Sequence, residues 1–214
     1  MIPTLTNPMG FNPEWKSLLD ANTEFLIWGN LIDRTGNVQI ENHGLIYNEQ
    51  WISSPDTTSY AVIPANSLPT DVLCTDHDWS LECRFFIPTN WMTGLSRRVG
   101  LFGCMAGGST SWRMDLLFLL SASYFTTIGG MAILANDPVL DRANLFTINF
   151  KAGTGFSFKL NGVENPPATV QDITTPRNSR TQNFGILANT NVNSIDSYAY
   201  MMRINYIRIS NVTR

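Results

Sequence analysis

The 214-residue sequence predicts an all-β chain, a two-sheet antiparallel β-sandwich with an extended N-terminal arm and at most one short helix. Three observations carry this. Apolar residues recur with period two in run after run, the pattern of half-buried strands. Gly, Pro, Asn, Asp and Ser fill the gaps between the runs, where turns need special backbone angles. Beyond the N-terminal segment no stretch sustains the three–four apolar spacing of an amphipathic helix, so no helical layer is expected and two sheets must cover each other.

Met1 to Asn12 is punctuated by prolines and reads as an extended arm. Asn12 can cap a short helix, with Pro13 at its first position and Glu14 in its first turn, running through Trp15, Leu18 and Leu19 for about two or three turns. Phe25 and Ile27 mark a short strand ending at Gly29-Asn30, and Ser59 to Ile63 is another. Trp79, Leu81, Cys83 and Phe85 alternate with Ser80, Glu82 and Arg84. Trp112, Met114, Leu116, Phe118 and Leu120 repeat the pattern, with Ser111, Arg113 and Asp115 on the other face. Phe146, Ile148 and Phe150 alternate with Thr147 and Asn149. Phe156, Phe158 and Leu160 alternate with Ser157 and Lys159 as far as Asn161-Gly162, a two-residue hairpin signal that puts the three apolar side chains on the core face. Phe184 to Ala188 and Met201 to Ile209 close the series. In that last run the apolar phase shifts between Tyr206 and Ile207, which requires a bulge or a strand covered on both faces. With no repeat and no linker, the reading is an arm and short helix over residues 1–22 and a single sandwich domain over residues 23–214.

Composition narrows the role. Only 14% of residues are charged, against roughly 25% in an average soluble chain, and a net charge of −3 with pI near 5.3 offers no basic stripe for nucleic acid. The longest apolar run, Leu116 to Leu120, is far shorter than a membrane-spanning helix, so no membrane insertion is expected. Cys74, Cys83 and Cys104 are odd in number and irregular in spacing, which is no disulfide framework. Met-Ile-Pro-Thr-Leu-Thr-Asn-Pro has neither a basic start nor an apolar stretch, so a secretory signal is not expected and synthesis in a cytoplasm is. Among the basic residues only Lys16, Lys151 and Lys159 are lysines, and there are 8 Met. Arg, Met and aromatic enrichment with few Lys is the composition of docking surfaces, because guanidinium and ring faces desolvate more cheaply than ammonium.

Several segments together resemble a known family. Asp33-Arg34-Thr35-Gly36-Asn37 followed by Asn42-His43-Gly44 is similar to the "D-x-S-G-N … G" entry of laminin G-like, concanavalin A-like lectin–glucanase domains. Tyr60-Ala61-Val62-Ile63-Pro64 resembles that family's "Y-V-x-V-P" strand, and Asp78-Trp79-Ser80-Leu81-Glu82-Cys83 its "D-F-T-I-E" strand. Phe158-Lys159-Leu160-Asn161-Gly162 resembles the "L-Y-V-N-G" hairpin, and the run from Met202 to Ile209 the closing "K-I-Y-Y-F-K-I" strand, most like versions in bacteriophage structural proteins. The resemblance spans Leu26 to Ser210 and implies a concanavalin A-like jelly roll. The family holds lectins, adhesion modules, virion proteins and some glycoside hydrolases, so function must be argued from residues. An adhesion-type sandwich without a secretory signal implies a non-enzymatic bacteriophage virion structural protein, made in the host cytoplasm and carried on the virion as a capsid decoration or a tail or fibre component. Its partners would be other virion proteins and further copies of itself. The alternative is a carbohydrate-binding module for surface glycans, using the concave face or a loop; a glycoside hydrolase is a distant third.

Candidate sites are few. Retaining glycosidases need two carboxylates roughly 5 Å apart. Here no strand carries Glu-x-Asp or Glu-x-Glu, Asp115 stands alone, and Glu82 alone of the six glutamates falls in a clear strand, so no catalytic residue is expected. Asp76-His77-Asp78 is the densest ionisable cluster, with His43 the only other histidine. Asp76 and Asp78 are the weak metal candidates and their oxygens would suit calcium, but one short cluster supplies few ligands, so a polar loop with Asp78 in a local turn is preferred and no cofactor is expected. Cys104, in a glycine-rich stretch without the ending of a phosphate loop, reads as a core thiol. Trp91, with Arg97 and Arg98 on the Pro88–Arg98 loop, is the candidate binding surface; the ring either stacks on a ligand or folds back to cap the sandwich edge.

Overall fold

The computed structural model describes residues 15–89, 98–105, 114–119, 123–127, 130–133, 137–165, 183–191, 194–198 and 201–214. The arm, with Asn12, Pro13 and Glu14, lies outside the described residues, as do Trp91, Arg97, Trp112 and Leu120. Seventeen strands are found among the described residues. In chain order the first six are β1 (Thr23–Trp28), β2 (Glu41–His43), β3 (Ile46–Tyr47), β4 (Ile52–Ser53), β5 (Tyr60–Ile63) and β6 (Trp79–Phe86). Then come β7 (Arg98–Met105), β8 (Met114–Leu119), β9 (Ser123–Thr127), β10 (Gly130–Ile133), β11 (Ala143–Lys151) and β12 (Gly155–Leu160). The last are β13 (Val163–Asn165), β14 (Phe184–Ile186), β15 (Ala188–Asn191), β16 (Ser194–Tyr198) and β17 (Arg203–Ser210). Ahead of them Trp15–Ser17 makes one 3₁₀ turn, shorter than the helix its sequence suggests.

The strands form two sheets. One has eight strands in the order β13-β12-β11-β6-β17-β4-β3, with β1 also on β17. The other has nine, β10-β9-β8-β7-β14-β5-β2, and β15 joins β7 in parallel while β16 pairs with β15. Every other ladder between named strands is antiparallel. The clearest period-two runs lie at the centre of the first sheet. β6 and β11 pair over eight residues, from Ala143↔Phe86 to Phe150↔Trp79. Their inward side chains Trp79, Leu81, Cys83, Phe85, Phe146, Ile148 and Phe150 are fully buried. Trp79 stacks on Phe150 at 5.7 Å, and Phe102 of β7 meets Phe146 of β11 at 6.3 Å, joining the sheets across the core. Asn161 and Gly162 both have positive φ (54° and 80°), as a type I′ hairpin requires, and Phe156, Phe158 and Leu160 point inward as the alternation predicts.

The phase shift in the closing strand has both of its permitted causes. The β17–β6 register slips between Ile204 and Tyr206, so Asn205 is the extra residue, and inward positions change from Ile204 to Ile207 and Ile209. The outward face is covered too, because residues Ile204 through Ser210 are all buried. Its cover is the N-terminal turn: Trp15 and Leu18 pack on Leu26, Trp28 and Tyr206, a small second cluster outside the main core. Trp28 and Tyr206 stack at 5.5 Å and 8°. Below the turn the Arg208 guanidinium pairs with Glu82 on the adjacent strand and donates to the Leu18 carbonyl at 3.0 Å. The family-like Asp33 is also structural. It is 7% exposed and accepts five hydrogen bonds: from the N–H groups of Leu26, Thr35, Asn37 and Val38 and from the Thr35 hydroxyl, at 2.6–3.1 Å.

Candidate functional site

The bulge and the N-terminal turn create a groove on the outer side of the eight-stranded sheet. At the end of β1, Gly29 donates its N–H to the bulged Asn205 carbonyl at 2.8 Å, and Asn205 Nδ2 donates to the Gln50 carbonyl. Gly29 has φ +64°, and a Cβ there would lie 2.6 Å from the Glu49 carbonyl oxygen. Only glycine permits this close approach. Gly29→Ala is expected to cost about 1–3 kcal/mol through strain and displacement of the 49–50 backbone, read as a lower urea midpoint with unchanged m-value.

The groove so formed has a volume of about 400 Å³ and is lined by Trp15, Lys16, Trp28, Gly29, Asn30, Arg34 and Glu49. That volume lies within the range of small-ligand clefts. Arg34 sits over the Trp15 ring at 5.2 Å, and its Nη2 donates to Asn30 Oδ1 at 3.3 Å. Its Nε is buried with no hydrogen-bond partner among the described residues. Two cations, Lys16 and Arg34, face one carboxylate, Glu49, so the groove favours a ligand with an acidic group. On its floor Trp28 rests on Tyr206, whose hydroxyl is pushed up to about 12 by burial and by neighbouring Glu82, and so stays neutral. A half-buried indole, Trp15, beside amide and guanidinium groups supplies ingredients of a sugar- or peptide-binding cleft.

The candidates from sequence fall differently. Trp91 and Arg97 lie outside the described residues, and Arg98 opens β7 opposite Leu119. Cys104 lies on β7 between Met114 and Thr190. Asp76 and Asp78 are not used together. Asp78 Oδ1 accepts the Ala152 N–H at 2.8 Å, a long-range tie to the β11–β12 turn, where sequence favoured a local one. Asp76 instead faces His77 Nδ1 at 3.2 Å, and that same nitrogen is 3.8 Å from Cys74 Sγ. A nucleophilic triad relays a proton through both ring nitrogens, so one shared nitrogen cannot serve. Burial, reinforced by the Asp76 carboxylate, pushes the Cys74 thiol up to about 12, which withholds the thiolate. His43 is on β2, stacked on Tyr60 at 4.5 Å. Glu24 and Asp71 form a carboxylate pair invisible in sequence, both accepting from Asn211 Nδ2 at 2.8 and 3.2 Å. Burial and then Asp71 raise Glu24 above its ordinary value, yet neither residue lines the groove.

The chain matches no protein-family model and none of the curated proteins. Solved structures are similar in fold. Trypanosoma rangeli sialidase aligns with TM-score 0.67 and 12% identity, over 92% of this chain and 31% of that one. The botulinum neurotoxin serotype D binding domain aligns with TM-score 0.65 and 10% identity, over 90% of this chain and 49% of that one. The receptor binding domain of botulinum neurotoxin mosaic serotype C/D gives 0.63 and 10%, over 90% and 48%. The chain therefore spans about a third of the sialidase and about half of the toxin domains. The likeness is one of fold, a two-sheet antiparallel β-sandwich.

Proposed function

We propose that this chain is a non-enzymatic adhesion-type module that binds through the Trp15–Trp28 groove, and that it serves as a bacteriophage virion structural protein, on the capsid or in the tail or a fibre. The observation that carries the binding reading is the groove of about 400 Å³, which sets the half-buried Trp15 indole, Asn30, Lys16 and Arg34 around a floor of buried Trp28, with Glu49 the one carboxylate. The groove itself holds a single carboxylate, Glu49, rather than the acid pair a glycosidase site needs, which favours binding there. Receptor-binding toxin domains that share the fold support an adhesive role. The virion reading is supported by the phage-like closing strand and by a composition rich in Arg and Met and poor in Lys. An antibody against this chain is expected to place gold on intact particles from a lysate, and its position separates capsid from tail. Particles that bind no gold would remove the virion reading.

A second reading, a lectin-like module for surface glycans, is favoured by the same groove and is compatible with a virion adhesin. Arg34 and Lys16 then suit a glycan carrying an acidic sugar, with an indole against the sugar's apolar face.

A further inference from the structure

The loop entering β6 brings three different metal-ligating side chains together, one buried and two exposed. Cys74 Sγ, an Asp76 carboxylate oxygen and His77 Nδ1 all lie within 4.8 Å of one another. We propose that Cys74, Asp76 and His77 form a binding site for a divalent cation of the zinc class. A tetrahedral zinc with bonds of about 2.3 Å to sulfur and about 2.05 Å to nitrogen and oxygen sets S···N near 3.6 Å and N···O near 3.4 Å. The corresponding separations here are 3.8 and 3.2 Å, so the ligand atoms already describe two edges of the tetrahedron.

The ligand set decides which ion. Calcium takes six to eight oxygens, and the loop offers one carboxylate, because Asp78 is spent on the Ala152 N–H. Thiolate, imidazole and a single carboxylate suit a borderline-soft ion, with a fourth position left for water or a partner's ligand. The loop is also held at both ends, since the Trp79 indole donates to the Cys74 carbonyl at 2.7 Å and Asp78 fastens the far end. Binding exchanges one proton for the ion: the thiol proton leaves to solvent as the S–metal bond forms.

The test is a cobalt(II) titration of the reduced full-length chain, followed by near-ultraviolet absorption. A thiolate-to-cobalt charge-transfer band is expected to saturate at a single ion per chain, to be displaced by zinc and to resist excess calcium. Cys74→Ser should abolish the band. His77→Ala, an exposed change that leaves the core intact, should weaken cobalt affinity by about tenfold or more. No band at any cobalt concentration overturns the site, as does a band that survives Cys74→Ser, which would assign it to another thiol.

Discussion

Asp33→Ala is expected to destabilise the sandwich by about 3–4 kcal/mol, near the upper end for a single substitution. Asp33 is 7% exposed and takes N–H groups from β1, from its own turn and from Val38, so its loss strands two buried donors, the Leu26 and Val38 N–H groups, and loosens the part-buried turn. Asp33→Asn keeps the shape but not the chemistry. Oδ1 accepts from Leu26 and Thr35, and Oδ2 from Thr35, Asn37 and Val38, so an amide NH₂ faces donors whichever way it turns. About 2 kcal/mol is expected for that variant. Urea unfolding checks both; an asparagine variant as stable as the parent would show that the five bonds contribute little.

Trp15→Ala is expected to weaken glycan binding by at least about tenfold, the effect of losing roughly 1.4 kcal/mol of stacking and desolvation. Arg34→Ala should do the same for an acidic ligand by removing the cation beside the Trp15 ring. Trp15 is half-buried on the outer cluster, away from the main core, so the variant should stay folded with only a modest loss of stability. Titration calorimetry with the bound glycan reads the change. Trp91→Ala is the informative companion: if it abolishes binding while Trp15→Ala leaves it intact, the Pro88–Arg98 loop is the binding face and the groove is not.

What sequence reveals here depends on how many faces of a strand are covered. β6, β11 and β12 are legible because each has one buried face, and the alternation reports it directly. β1 and β17 are blurred because the Trp15–Leu18 segment covers their outer face; the unbroken apolar run Phe25–Trp28 was the available signal for that second cover. β7 escapes notice because Gly100 and Gly103 lower its strand propensity, and β2, β3 and β4 are too short to show a period. The groove is assembled from residues 15–16, 28–30, 34 and 49, which no spacing rule connects. Glu24 with Asp71 is hidden for the same reason. The Cys74 cluster was half visible: Asp76 and His77 stand adjacent, but which of Cys74 and Asp78 joins them depends on the backbone fold of the loop and on Ala152.

The most direct test of the central claim is retention of a broad panel of surface glycans by the full-length chain, with the retained and released sugars then checked for cleavage. At least one glycan with an acidic sugar is expected to be held intact, and Trp15→Ala to release it. Cleaved product, or a flat response across the panel, would contradict a non-enzymatic module that binds glycans through this groove.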